Sequence, residues 1–315
     1  MPAPTVFRSS DFGAPQYVTP NSGNDYYHQY FHDVLQACLV DGFNGRPGLG
    51  WTLIGRDNTV NSRKIAFRNA TGTGCFRFEP RSGSVGYFVS RLYSEMTSLT
   101  SGANEQASGN AQQIQPLLSW CLVGDGKTFH FVGKCQSGSY ALDAYQAANP
   151  AFIFFSVGEY DPCAPVVMAP GQLGNFIGVP LGGPSYPFCC NSDSGGYGAM
   201  PINAAGVANT AGVKATYPRT IGVPDFGEIT LYRWPLASTV APPVSVGGGT
   251  QQRLFGHARG LYCSTTNDHY HWKAEVDAGT YSIGSTKTIG GKDFILGLCS
   301  GYESPYISLD AADWS

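Results

Sequence analysis

The sequence predicts a mainly β protein of the α+β type, in which antiparallel sheets or a β-sandwich carry an N-terminal helix and long loops. Three observations lead to this prediction: short apolar runs between turn residues, a single stretch with helical periodicity, and a composition rich in glycine and proline. The 315 residues include 41 Gly and 21 Pro, but also 18 Tyr, 18 Phe and 5 Trp, which are too many aromatic residues for a disordered chain.

The chain divides into an N-terminal arm and one large domain. Residues 1–25 are rich in Pro, Ser and Asn and are predicted to form an extended arm. Ordering such an arm costs roughly 1–2 kcal/mol of backbone entropy per residue, so we expect it to lie across a neighbouring subunit, with Phe7 or Tyr17 as apolar anchors. Residues 26–315 form one β-rich domain, with a candidate sub-boundary at 236–250.

The helix is predicted over residues 27–40. Its apolar face has the spacing i, i+4, i+8 and i+11, supplied by Tyr27, Phe31, Leu35 and Cys38. Asn24–Asp25 offers an N-cap, and Asp41–Gly42 ends the helix because glycine readily adopts the left-handed conformation of a helix C-terminus.

Strands are predicted wherever apolar or alternating runs lie between turn clusters. These runs are 51–55, 64–69, 75–80, 86–96, 151–160 and 228–234, of which 86–96 has a helix as its competing interpretation. Residues 119–133 predict an antiparallel hairpin that turns at Gly124–Lys127, because Asp125–Gly126 is a preferred tight-turn pair. A short helix is predicted at 142–148, and residues 235–252 are either a linker or an edge strand interrupted by proline.

Charge is scarce, and this bears on partners. Charged residues make up 13% of the chain, roughly half of what a soluble domain usually has. Lysine is depleted and tyrosine enriched in interface cores, so the composition favours a surface that is partly covered by partners, although a Ser/Thr/Asn/Gly-rich free surface explains it equally well. A net charge of −3 gives no general attraction to nucleic acid or to anionic membranes.

Targeting and cysteine usage indicate a protein made in a cytoplasm. No apolar run is long enough for a transmembrane helix, and the N-terminus lacks the basic and apolar regions of a secretory signal. The nine cysteines are odd in number and fit no zinc-site spacing, so we expect mostly free, buried thiols.

Two segments resemble chemical sites, and both have a simpler interpretation. The sequence SDSGG at 192–196 is similar to the nucleophile segment of chymotrypsin-like proteases, with Ser194 as the nucleophile, but the histidine segment of that family is absent and Asp-Ser-Gly-Gly is also an ordinary turn. His269 and His271 share one face of a strand, which suits a metal only if a third ligand arrives. They are weak candidates, and we predict no catalytic residue, no bound metal and no cofactor.

The carboxylates do not reveal a glycosidase pair. Such a pair needs two acidic side chains on opposite sides of one bond, and the candidates are scattered along the chain: Asp161, Asp193, Asp225, Asp268 and Asp277.

Several short motifs resemble those of a group of virion proteins from tailed bacteriophages. They are VFRSSDFGAP (6–15), LQACLVDGFNGRPGLGWT (35–52), IAFRN (65–69), WCLVGDGKTFHF (120–131) and RGLYC (259–263). They span most of the chain, although the segment NDYYHQYFH is longer and more aromatic than that group's pattern, and a Leu-Pro-Gly-Leu-Tyr element of that group is reduced here. The group has no established catalytic residues, so the resemblance transfers none.

The resemblance implies a non-enzymatic structural component of a tailed phage, in the tail or its attachments, assembled in symmetric copies. Its partners would be other virion subunits and copies of itself, without nucleic acid or membrane insertion, and it would reside in the virion after synthesis in the host cytoplasm. The alternative is a module of the particle that binds a host-surface glycan through aromatic residues such as Tyr270, Trp272 and Tyr281. A hydrolase, either a protease or a glycosidase, is the third hypothesis.

Overall fold

The computed structural model describes residues 3–17, 24–81, 84–103, 105–107, 112–113, 116–135, 152–162, 176–179, 213–215, 231–240, 251–264, 282–297 and 306–315. Within these ranges the protein is mostly antiparallel β-sheet with an N-terminal helix, which confirms the predicted fold class. No helix among the described residues is long and apolar enough to cross a membrane.

Among the described residues, the first half of the chain contains the helix and nine strands. The helix α1 spans Asn24–Gln36, and the strands are β1 (Thr5–Arg8), β2 (Thr52–Asp57), β3 (Lys64–Arg68), β4 (Cys75–Arg81), β5 (Ser84–Tyr93), β6 (Glu95–Ser98), β7 (Ser101–Ala103), β8 (Gln106–Ala107) and β9 (Gln112–Gln113). Strands β2, β3, β4, β5 and β8 lie in that order in a six-stranded sheet, with β9 also paired to β5. The small β6–β7 hairpin forms a sheet of its own.

The second half supplies most of a larger, eleven-stranded sheet. Its strands are β10 (Leu117–Gly124), β11 (Thr128–Cys135), β12 (Phe152–Pro162), β13 (Phe176–Val179), β14 (Val213–Ala215), β15 (Leu231–Val240), β16 (Gln251–Ser264), β17 (Thr286–Ile289), β18 (Lys292–Leu296) and β19 (Tyr306–Ser308). The main order is β1-β10-β11-β12-β16-β19-β18-β17, while β13 pairs with β12 and β15 joins β14 to β16. A short 3₁₀-helix, Ala311–Trp314, follows β19.

The larger sheet curls until its two ends meet. Strand β1 stands first in the order and β17 last, yet Arg8 Nε in β1 donates a hydrogen bond of 3.0 Å to the carbonyl of Gly284, just before β17. A Cβ on Gly284 would lie 3.1 Å from the side chain of Cys121 in β10, so only glycine fits comfortably at this contact. The φ of Gly284 is 83°, a left-handed value that favours glycine.

Aromatic side chains join the two main sheets, as expected for a sandwich. Phe76 of β4 lies 5.5 Å from Phe129 of β11, and Phe78 of β4 lies 5.4 Å from Phe155 of β12, measured between ring centroids. Phe31 of α1 contacts rings of both sheets. The helix therefore contributes to the same core as the strands.

The predicted helix is confirmed, with one difference at its end. After Gln36 the helix widens into a π-helical segment, Ala37–Asp41, and it ends at Gly42, whose φ is 75° and whose N–H donates to the Ala37 carbonyl. A Cβ on Gly42 would lie 2.2 Å from the Arg46 carbonyl, so the tight return of the chain requires glycine. The helical face is buried as predicted at Phe31, Leu35 and Cys38.

The hairpin predicted over 119–133 is also confirmed, and its turn lies one residue later than expected. Strands β10 and β11 pair with Leu122 opposite Phe131, and the Asp125 N–H donates to the Thr128 carbonyl. Gly126 does not adopt the positive φ expected of a tight Asp-Gly turn. The Asp125 carboxylate instead accepts the N–H groups of Lys127 and Thr128, which builds the turn from its own side chain.

The other strand predictions agree with the structure where it describes them. Residues 86–96 lie in strands rather than a helix, since β5 ends at Tyr93 and β6 begins at Glu95, and strands are present at the predicted positions 51–55, 64–69, 75–80 and 151–160. Residues 235–240 are neither a linker nor an edge, because β15 is paired on both sides and Pro235 sits at a break in its register. The rest of the candidate sub-boundary, 241–250, and the helix predicted at 142–148 lie outside the described residues.

The N-terminal arm requires a correction. Residues 5–8 form β1, which pairs with β10 of the same chain, and Phe7 is fully buried there against Phe43. The prediction that Phe7 anchors the arm on a neighbouring subunit is therefore wrong. Side chains alternate between the two faces of a strand, and that of Phe7 points into the core of its own chain. Tyr17 is half-buried and contacts Tyr27 of α1, so it also packs on its own chain, while residues 18–23 lie outside the described residues.

Candidate functional site: the Asp125 turn and the buried Arg259

The best-defined polar cluster surrounds the turn between β10 and β11. Arg259 of β16 reaches this turn with a side chain that is only 2% exposed. Its Nη2 donates to Asp125 Oδ2 at 3.0 Å, and its Nη1 donates to the Thr128 hydroxyl at 3.2 Å. Its Nε lies 3.6 Å from Asp161 Oδ1 of β12. One guanidinium of β16 therefore contacts two carboxylates, one in the β10–β11 turn and one on β12.

The chain after β19 closes this cluster. Arg259 Nη2 also donates to the Trp314 carbonyl, and the Trp314 indole packs directly on Gly260, where a Cβ would lie 2.3 Å from the ring. Gly260 has a φ of 63°, so both the backbone conformation and the close contact favour glycine. Asp313 fixes the same segment by accepting hydrogen bonds from Tyr262, Lys292 and Ser308.

The other side of the turn is held by the six-stranded sheet and by Glu159. The Trp51 indole N–H donates to the Asp125 carbonyl at 3.0 Å, and the Ala70 N–H donates to the Gly126 carbonyl at 2.8 Å. Thr128 donates its hydroxyl to the Glu159 carbonyl at 2.8 Å. The turn therefore ties both main sheets together.

The Glu159 carboxylate accepts three neutral donors. Its Oε1 receives the Asn69 amide at 3.3 Å, the Thr73 hydroxyl at 2.8 Å and the Thr71 hydroxyl. Asn69 begins an Asn-X-Thr sequence, but its side chain is buried and occupied by these contacts, so it is not available to a glycosyltransferase in the folded protein.

His130 lies beneath the cluster on β11. Its Nε2 donates to the Arg259 carbonyl at 2.8 Å, and its ring packs between Phe154 and Trp314. Its Nδ1 has no hydrogen-bond partner among the described residues. Burial lowers the pKa of His130 to about 4, the hydrogen bond to the Arg259 carbonyl raises it, and the Arg259 charge lowers it further.

This arrangement acts as a structural clamp. A general acid or a nucleophile must reach a substrate, but here His130 is fully buried, the Thr128 hydroxyl donates to backbone, and Asp125 and Asp161 share one guanidinium. The polar groups of this cluster are therefore occupied by contacts with one another and with backbone, and these contacts hold four distant segments of the chain together.

A second clamp orders the N-terminal residues. Arg46 pairs with the Asp11 carboxylate and donates to the Val6 carbonyl, and its guanidinium lies 5.3 Å from the centre of the Phe7 ring. The Arg8 N–H donates to Asp11 Oδ2 at 2.8 Å. The loop after the helix therefore holds β1 and its following turn against the core.

Most site residues suggested by the sequence fall outside the described part of the chain. They are Ser194, His269, His271, Asp193, Asp225, Asp268 and Asp277, together with the aromatic residues Tyr270, Trp272 and Tyr281. Among the suggested carboxylates, Asp161 is described and lies beside Arg259 and Arg233. Within the described ranges no group of three metal-ligating side chains occurs.

Sequence reasoning missed the Arg259 cluster, although both halves were visible. The sequence indicates a turn at Asp125 and a motif at Arg259. It contains no signal that these two positions, which are far apart along the chain, are in contact. The usable signal was a lone arginine inside the apolar segment 254–263, because a buried arginine needs a carboxylate partner.

The described thiols behave as predicted. Cys38, Cys75 and Cys121 are free and buried. Burial raises the pKa of Cys121 to about 12 and raises that of Cys38 well above its ordinary value, so neither forms a thiolate readily.

Comparisons with known proteins identify no family. No family model matches the chain, and no curated protein matches it significantly.

Proposed function

We propose that this protein is a non-enzymatic structural subunit of a tailed-bacteriophage virion, in the tail or its attachments, present in symmetric copies. It would be made in the host cytoplasm and would contact other virion subunits and copies of itself. It would need no cofactor.

The observation that carries the proposal is that motif segments far apart in the sequence contact one another in the structure. Segments 6–15 and 35–52 meet where Phe7 contacts Phe43 at 4.9 Å. Segments 120–131 and 259–263 meet at the Asp125–Arg259 ion pair. Since Asp11, Arg46, Asp125 and Arg259 of these motifs form ion pairs that hold the chain together, we interpret the motifs as a signature of the fold and not of a substrate site.

Composition gives independent support. A charged fraction of 13% leaves much of the surface uncharged, as expected for a subunit that is covered by neighbours. Free, buried thiols fit a protein made in a reducing compartment.

The experiment is a complementation test of assembly. A phage that carries a stop codon early in this reading frame is grown in a host with or without the intact chain supplied from a plasmid. We expect defective, incompletely assembled particles without the chain and normal particles with it. Complete, infectious particles formed without the chain would overturn the proposal.

A further inference from the structure

Two histidines lie one turn apart on the buried side of α1. His32 is fully buried and His28 is 1% exposed, and their ring centroids are 6.2 Å apart. Neither ring nitrogen of His32 has a hydrogen-bond partner among the described residues. The large majority of buried polar side chains in proteins have such a partner, so the unpartnered ring of His32 calls for an explanation.

The β2–β3 hairpin brings positive charge to this part of the helix. Arg56 of β2 pairs with Asp33 of α1, and its Nη1 donates to Gln36 Oε1 at 3.0 Å, so its guanidinium is fixed against the helix. Arg63, in the connection between the two strands, is buried as well. A metal cation bound at His32 would be repelled by these two arginines, so the charges disfavour a metal site.

The surroundings of His32 favour its neutral form. Burial is the largest cause and lowers the pKa of His32 well below the usual 6.5, and the neighbouring His28, Arg56 and Arg63 lower it further. Strands β4, β5, β11 and β12 face the helix with phenylalanine rings, which pack around Phe31. The described charged groups that act on His32 therefore come from its own helix and from the β2–β3 hairpin.

From this arrangement we propose that α1 and the β2–β3 hairpin form an acid-sensitive contact, which opens when His32 takes up a proton. A protonated imidazole carries a charge and two N–H donors, and the closed contact offers neither donor an acceptor among the described residues. Opening admits water to the ring and moves the arginines away, while Phe31 keeps the other side of the helix in the core. The inference concerns a property of the fold and does not depend on the proposed function.

Proton linkage fixes the direction of the effect. In the open state His32 titrates near its usual value of 6.5, whereas the closed state holds the ring neutral to lower pH. The closed contact is therefore fully stable above pH 6.5 and weakens as the pH falls below that value. With the ring neutral throughout in the closed state, the equilibrium constant for opening rises about 30-fold between pH 7.5 and pH 5.

The test follows amide hydrogen exchange of the full-length protein by mass spectrometry, with rates corrected for the intrinsic pH dependence of exchange. Peptides that cover α1 and β2 report on the contact, and peptides of the β10–β11 hairpin serve as the internal reference. In the wild type we expect the protection factors of α1 and β2 to fall about 30-fold between pH 7.5 and pH 5. The β10–β11 hairpin should stay more strongly protected at every pH.

Two variants assign the effect to one histidine. His32→Leu removes the titrating ring and its two unpartnered nitrogens, so the protection factors of α1 and β2 should no longer depend on pH. His130→Gln is the matched control, because it replaces another buried histidine that stays buried when only this contact opens. The control should therefore keep the wild-type fall in α1 and β2.

Three results would overturn the inference. The first is a wild-type contact whose protection does not change with pH, and the second is a His32→Leu variant that shows the wild-type fall. The third is exchange of α1 and β2 at the same rate as β10–β11 at every pH, because the contact would then open only when the whole chain unfolds. The first and third need only the wild type, so they decide the question even if His32→Leu fails to fold.

Discussion

The guanidinium of Arg259 donates to the carboxylate of Asp125 at 3.0 Å, although 134 residues separate them in the sequence. The contact joins β16 to the turn of the β10–β11 hairpin, and the same guanidinium reaches Thr128 and the Trp314 carbonyl. Its removal would leave the Asp125 carboxylate and the Trp314 carbonyl without their common partner.

Arg259→Met is therefore expected to destabilise the protein by about 3–5 kcal/mol, because breaking a buried ion pair leaves an uncompensated charge. The control is Arg233→Met, since Arg233 pairs with Asp161 but is 38% exposed. We expect the control to cost below about 1 kcal/mol. Urea unfolding measures both, and equal losses would contradict a central role for Arg259.

Gly260→Ala is expected to displace Trp314. A left-handed φ costs a non-glycine residue about 1–2 kcal/mol, and the clash with the indole adds about 1–3 kcal/mol. Gly290→Ala is the matched control, because Gly290 has a φ of 57° but nothing within 4 Å of its Cβ position. The unfolding free energies of the two variants should differ by the clash alone, and identical values would show that Trp314 does not pack on Gly260.

Glu79→Gln is expected to weaken the outer face of the six-stranded sheet. Arg77 and Arg91 lie directly opposite each other on β4 and β5, and Glu79 pairs with both. Without the Glu79 charge, Arg77 loses this carboxylate partner and faces Arg91, which still pairs with Glu105, so we expect a cost of about 3 kcal/mol.

Glu105→Gln is the control for that variant. Glu105 also pairs with Arg91, but its side chain is 43% exposed, so its loss should cost below about 1 kcal/mol. Thermal and urea unfolding at neutral pH compare the two variants. A larger loss for the Glu105 variant would contradict the arrangement around Glu79.

The buried His130 leads us to expect that the free energy of unfolding decreases in acid. Its folded-state pKa is lowered to about 4 from the ordinary 6.5, so the unfolded chain binds the proton more readily between these values. The free energy of unfolding is therefore unaffected by the titration of His130 above pH 6.5. It decreases by about 3 kcal/mol as the pH falls from 6.5 towards 4.

His130→Gln tests this dependence, because glutamine retains an N–H donor for the Arg259 carbonyl but does not titrate. Unfolding free energies measured from pH 7.5 to 4 should fall less steeply for the variant than for the wild type. Parallel curves would show that His130 contributes nothing to the pH dependence.

Local pattern predicted the elements well, because their causes are local. The spacing of Phe31, Leu35 and Cys38 predicted the helix, and apolar runs on either side of Asp125 predicted the hairpin. The detail that failed is the conformation of Gly126, which lies in a turn that also receives hydrogen bonds from the distant residues Trp51 and Ala70. Gly126 avoids a positive φ because the Asp125 side chain builds the turn, and its Cβ position lies 2.9 Å from Ala70.

The candidate site was less predictable than the fold. The sequence predicts Phe7 or Tyr17 as the outward anchor of the first 25 residues, a segment that also contains Phe12. The structure buries Phe7, because β1 pairs with β10, and exposes Phe12 on the following turn. That outcome depends on a pairing with residues more than 100 positions away, which no local pattern in the first 25 residues encodes.

The central claim is that this chain is a stoichiometric part of a phage particle. The most direct measurement is its copy number in density-gradient-purified particles, obtained by mass spectrometry with isotope-labelled peptides of this chain and of the major capsid protein as the reference. The account predicts a constant number of copies per particle in every gradient fraction that contains virions. Absence of the chain from those fractions, or an amount that varies independently of the capsid protein, would contradict it.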